Sequence, residues 1–191
     1  MEEEPTDSQK EIDSFELQLS KLWHSEFSAE SDRAAVILGA SKVDQLLREL
    51  LVKKFLPNPT GQDELFDSDK PISTFSARIN VAHRLGLIDK QFASSLHLIR
   101  RIRNEFAHEA VGAELGTGAH RDRVRILVAP FVNNKHFEEY CSKFFSGQSE
   151  ASKRFRGFLF ILIVRLAGAI ERTKAVEDKD AYDIIPPYWL N

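Results

Sequence analysis

Residues 92–108 run Phe-Ala-Ser-Ser-Leu-His-Leu-Ile-Arg-Arg-Ile-Arg-Asn-Glu-Phe-Ala-His, a helical pattern with a dense polar load. Phe92, Leu96, Ile99, Arg103 and Phe106 recur at the spacing that keeps one face of a helix toward a core. Arg103 falls in register with these apolar residues, so the spacing predicts a guanidinium on the core side. A buried arginine needs a carboxylate, and Asp32, Asp44 and Glu49 on an earlier helix are the candidates in kind. His97, Arg101, Asn104 and His108 form a second stripe, a flank of groups that donate, accept or titrate near neutral pH.

The neighbouring segments are helical too. Asp89 is placed to cap the organising helix, and Ser73 to cap a shorter one through Phe75, Ile79, Ala82 and Leu85, with Gly86 at its left-handed end. Residues 73–108 therefore read as a helical hairpin. Upstream, Ser28 is the expected cap of a helix running to about residue 55, stopped by Pro57 and Pro59. Its first half, with Ala34, Ala35, Val36, Leu38, Gly39 and Ala40, is small and apolar nearly all round, so a central position with a close crossing at Gly39 is expected. Residues 57–71 are a turn-rich connection, pinned at Leu65 and Phe66. A first amphipathic helix is expected over 9–25.

Downstream, three glycines between 112 and 118 mark a loop, and Arg121–Val128 reads as a short helix because no second strand exists to pair with it. Helices over 131–145, with Phe137, Tyr140, Cys141 and Phe144 inward, and over 149–174 complete the set. The expectation is an all-α, single-domain bundle of six to eight helices over 9–175. An acidic disordered arm (1–8) precedes it, and an extended strap (176–191) follows, barred from helix by Pro186 and Pro187.

With 191 residues, 42% of them hydrophobic, the chain can bury a substantial core. A net charge of -3 argues against binding nucleic acid through overall positive charge, so any such contact must be a local patch. The lone Cys141 excludes an internal disulfide and a multi-cysteine zinc site, and suits a reducing compartment. The acidic start is unlike a secretory signal, and the run from Gly157 to Val164 is too short to span a membrane. A cytoplasmic protein without a membrane role is expected.

The sequence has no phosphate loop, dinucleotide fingerprint or His-Glu-x-x-His helix, so neither a cofactor nor a metal is expected. Two readings of Arg103, Asn104 and His108 stay open: a structural network, or a metal-free RNase in which an imidazole moves a proton and a guanidinium holds the scissile phosphate. Arg103 and His108, five apart, point about 140° away from each other on one helix. Arg100, Arg101, Arg121, Arg123 and Arg125, with Lys153, Arg154 and Arg156, form a second candidate, contacts to nucleic-acid phosphates. No base-reading helix accompanies them, and a solvated face offset by 29 acids is the competing account. His24, His83, His120 and His136 read as surface or satisfied histidines.

Four blocks together carry a resemblance: Asp-Arg-Ala-Ala-Val-Ile-Leu-Gly-Ala at 32–40, Pro-Ile-Ser-Thr-Phe-Ser-Ala-Arg-Ile at 71–79, Leu-Gly-Leu-Ile at 85–88 and Ile-Arg-Arg-Ile-Arg-Asn-Glu-Phe-Ala-His at 99–108. In this order they resemble the mannitol operon repressor family over roughly residues 15–175. Asp32, Arg33 and Gly39 in the first block, and Arg103, Asn104 and His108 in the last, are its motif residues. The resemblance implies a bacterial repressor of mannitol uptake and utilisation genes. The absence of a reading helix favours repression through protein partners, with any DNA contact indirect, and a homodimer is compatible with it. The Arg-Asn-x3-His string also resembles the HEPN superfamily, which implies, as the alternative, a metal-independent RNase working across a dimer, or an inactive relic of one.

Overall fold

Most of the described helices begin under a side-chain cap. A computed structural model describes residues 27–58, 61, 64–109 and 112–177. Six α-helices lie among them: α1 (Asp32–Lys54), α2 (Phe75–Arg84), α3 (Lys90–His108), α4 (Gly118–Val128), α5 (Lys135–Phe144) and α6 (Glu150–Arg172). Single 3-10 turns lie at Glu64–Phe66 and Ala129–Phe131, and no strand occurs among the described residues. The all-α bundle is as expected. The acidic arm, the helix over 9–25 and the strap beyond residue 177 lie outside the described residues.

The centre is α1, which packs against α6, α3 and α2. It is capped by Ser31, whose hydroxyl accepts from the Ala34 amide at 3.2 Å, three residues later than the Ser28 cap expected. Asp32 then stands in the first turn and Lys53 and Lys54 in the last, each complementing the helix dipole. Ala35, Val36, Gly39, Ala40, Val43, Leu46, Leu47, Leu50 and Leu51 are buried, while Leu38 is 50% exposed, so the small-residue half has a solvent side. After residue 55 the connection is pinned by Phe66, whose ring lies 6.1 Å from Phe55 and 5.0 Å beneath the Arg48 guanidinium, while the Leu65 side chain expected to share that role is 43% exposed.

The α2–α3 hairpin closes tightly. Thr74, rather than Ser73, caps α2, accepting from the Ala77 amide at 3.1 Å. Gly86 has φ +69, and the Leu87 amide reaches back to the Ala82 carbonyl at 2.9 Å, a Schellman closure that needs the left-handed residue. Asp89 caps α3 as expected, accepting from the Phe92 amide at 2.7 Å. The buried face of α3 is Ala93, Leu96, Ile99, Ile102 and Phe106. Ile102 holds the inward position expected of Arg103.

Farther on, α4 confirms the helical choice for 121–128 and begins earlier, at Gly118. Pro130 lies in the 3-10 turn and Asn133 takes φ +68, so α5 starts at Lys135 under an Asn134 cap, not at 131. Phe137 and Cys141 are its buried residues, with Tyr140 and Phe144 half-buried beside them. α6 crosses α5 at Gly157, where a Cβ would lie 2.5 Å from Cys141 Sγ and 3.2 Å from Phe137 Cε2. Past α6 the chain turns back, and the Val176 amide donates to the Lys54 carbonyl at 2.8 Å, satisfying an orphan acceptor at the end of α1.

Candidate functional site

Two residues at the start of α1 hold distant parts of the fold. Asp32 accepts from the Leu115 amide at 2.9 Å, from Ser152 Oγ at 2.5 Å and from the Arg156 guanidinium at 3.1 Å. Arg156 is fully buried on α6; its other donors reach the Phe27 carbonyl (3.2 Å), the Glu30 carbonyl (2.6 Å) and Ser152 Oγ. Burial pulls the pKa of this guanidinium down, and the charges of Asp32 and Glu30 oppose that pull. Arg33, the next residue, donates to the Phe106 carbonyl at 2.5 Å and to the Glu109 carbonyl. It thereby closes the C-terminal end of α3, where a cation also meets the negative end of the helix dipole.

This placement corrects the expected partners of Arg103. Among the described residues the most deeply buried ion pair is Asp32–Arg156, whereas Asp44 pairs with Arg78 at 2.8 Å and Glu49 accepts from Gln45 at 2.9 Å. Arg103 is exposed and bonds Asn104 Oδ1 at 3.1 Å. The cause is a competition one residue away: Leu96, Ile99, Ile102 and Phe106 make a continuous stripe that leaves Arg103 beyond its edge. His108 is exposed at the last turn of α3, and Asn104 is half-buried.

The outer face of α3 borders a cleft of about 240 Å³ between α1, the start of α2 and α3. Arg100, Arg103 and Asn104 line it from α3, Ala40, Ser41 and Asp44 from α1, and Thr74, Phe75 and Ser76 from the first turn of α2. His108 is not among its lining residues, so one chain brings Arg103 and Asn104 to a common concavity and leaves His108 apart. Six residues before Arg103, the His97 Nε2 donates to Asn80 Oδ1 at 3.1 Å. Burial, and then the Arg100 charge, hold its pKa below the ordinary histidine value.

The arginines expected to meet nucleic-acid phosphates scatter. Arg101 and Arg121 are exposed on different helices, Arg123 is committed to Glu105 at 2.5 Å, and Arg125 lies 3.8 Å from Asp122. Lys153 and Arg154 pair with Glu150 (2.7 Å) and Glu138 (3.2 Å), and Arg156 is in the core.

A further cluster joins α3 to α4. His120 is buried with its ring 4.6 Å from that of Phe106 and its Nε2 3.1 Å from Glu109 Oε1. Its Nδ1 lies 3.5 Å from Glu105 Oε2, near enough for Coulomb attraction but without a hydrogen bond. The sequence did not single out this cluster, and it set Arg156 among possible phosphate contacts rather than in the core where it lies. For Arg156 the signal was there, since it shares its spacing with Leu159 and Ile163 on the apolar side of α6.

The fold and site together define an all-α helical bundle with an arginine-lined cleft. No family model, curated protein or solved structure matches the chain. Among the described residues no helix is long and apolar enough to cross a membrane, and no group of three acidic, histidine or cysteine side chains is placed to hold a metal.

Proposed function

We propose that this chain is a transcriptional regulator of the mannitol operon repressor kind, acting through a protein partner that meets the exposed face of α3. The observation that supports this reading is where the Arg-Asn-Glu-Phe-Ala-His string lies. Phe106 within it and Ile102 just before it supply the packing, while Arg103 and His108, and Arg101 upstream, face solvent, so these polar side chains remain for contact with another molecule. The matched pairs at Arg123, Lys153 and Arg154 favour an indirect route over a DNA grip, because a phosphate backbone needs unneutralised cations lined up along it.

Exposure of both Arg103 and His108 also favours a second reading, the HEPN-like RNase. Since these residues diverge by about 140° on one helix, a shared phosphate would have to be gripped by Arg103 of one copy and His108 of a second. An electrophoretic shift with the mannitol promoter separates the readings. A shift that requires cell extract, and is lost in the Arg103→Ala/His108→Ala variant at an unchanged melting temperature, supports the regulator. A shift by purified protein alone replaces the indirect route with direct binding. Metal-independent RNA cleavage abolished by His108→Ala supports the nuclease.

A further inference from the structure

We infer that the cleft between α1, the start of α2 and α3 is a binding site for a small hydroxylated phosphomonoester, its phosphate held between Arg100 and Arg103. The inference needs neither functional reading above and would give either of them a small-molecule ligand.

Arg100 and Arg103 stand three apart on α3, which sets their side chains on one face, and both line the cleft. Like charges at this spacing repel. The carboxylate that borders the cleft, Asp44, is already engaged by Arg78 at 2.8 Å, and Arg78 is itself fixed by the Ile72 and Ser73 carbonyls at 3.1 and 2.8 Å. The positive charge of Arg100 and Arg103 is therefore left unneutralised by the wall facing them. A phosphate dianion answers this charge, because its oxygens accept from guanidinium forks in the planar geometry that arginine presents.

The remaining lining groups sort by polarity. Asn104 Oδ1 accepts from Arg103, which leaves the amide nitrogen as a donor on the arginine side. The first turn of α2, at Phe75 and Ser76, adds the unpaired amides that a helix N-terminus presents. Across the cleft, Ser41 donates its hydroxyl hydrogen to the Ile37 carbonyl at 2.8 Å and so offers only lone pairs, beside the Asp44 carboxylate. Donors on the α3 wall and acceptors on the α1 wall suit a ligand that carries both a phosphate and a hydroxyl. A volume of about 240 Å³ limits it to a small one.

Isothermal titration calorimetry in chloride buffers of matched ionic strength tests this with inorganic phosphate, glycerol 3-phosphate, acetate and an oligonucleotide lacking terminal phosphates. Glycerol 3-phosphate is expected to bind at one site per chain and more tightly than inorganic phosphate. The Arg100→Gln/Arg103→Gln variant should lose at least tenfold in affinity while melting like the parent without ligand, and Arg84→Gln, an exposed charge at the far end of α2, should bind unchanged. Absence of binding by glycerol 3-phosphate at millimolar concentration overturns the assignment, as does an equal loss in Arg84→Gln. Equal binding of acetate makes the site a general anion site, and displacement by the oligonucleotide assigns it to a nucleic-acid backbone; either result refutes the phosphomonoester. Promoter shift and RNA cleavage are separate readouts, so failure here leaves those two readings standing or falling on their own tests.

Discussion

Replacing Asp32 by Ala should be among the most damaging single changes in this protein. The carboxylate receives three hydrogen bonds, one of them from Arg156, which has no exposure to water. Removing one partner of a buried ion pair typically costs about 3–5 kcal/mol, because the other charge stays desolvated. Arg156 keeps the Phe27 and Glu30 carbonyls, which places the expected loss near the lower end, about 3 kcal/mol, with the orphaned Leu115 amide contributing part of it. For a domain of this size that is a fall of about 6–12 °C in Tm. Urea unfolding should show a lower midpoint at an unchanged slope. In the double variant Asp32→Ala/Arg156→Met the buried charge is gone, so the two losses should not add; the shortfall should be about 2 kcal/mol. An Asp32→Ala protein within 1 kcal/mol of the parent, or losses that add in the double variant, would refute the reasoning.

Arg103→Ala should change stability by less than about 0.5 kcal/mol, since the side chain is exposed and its bond to Asn104 is local; a cost of several kcal/mol in a melting experiment would return the residue to the core network first expected of it. Gly157→Ala should destabilise by about 1–3 kcal/mol through overpacking against Cys141 and Phe137, and adding Cys141→Ala should restore part of it in chemical denaturation. Burial pushes the Cys141 thiol up to about 12, with Glu138 adding to the shift, so iodoacetamide at pH 8 should label the unfolded chain and leave the folded one intact. The folded pKa being the higher, folding holds this proton more tightly. Its contribution to stability is full below the ordinary value of 9.0 and falls as pH rises from there toward 12.

Caps and breakers made most of the bundle legible in the sequence. Asp89, Gly86, Pro57 and the glycines at 112–118 each mark an element boundary near the one observed, because their effect on the backbone is local. Competition among neighbours was harder to read. Ser28 and Ser31 are both plausible caps, and only the path of the chain through Phe27 and Glu30 onto Arg156 selects the second. Arg103 and Ile102 compete for one inward position on α3, and the apolar side chain wins it at no desolvation cost. Arg156 was read as a surface residue because Lys153 and Arg154 beside it make a surface-like cluster, while its four acceptors come from segments 4 to 129 residues away. The cleft was illegible for the same reason, being built from three helices whose contributions have no common sequence pattern.

The adjacency of Asp32 and Arg33 has a consequence for the order in which the chain assembles. Two consecutive residues hold α6 and the loop at Leu115 on one side and the end of α3 on the other, through bonds spanning 73 to 124 residues of sequence. Closing such long loops is slow, so these bonds belong to the late stage of folding, after the α2–α3 hairpin has formed from contacts close in sequence. The Leu115 amide, tied to Asp32 within a loop, then becomes a reporter of global opening: its hydrogen exchange is set by the docking of α6 rather than by fluctuations of the loop that carries it.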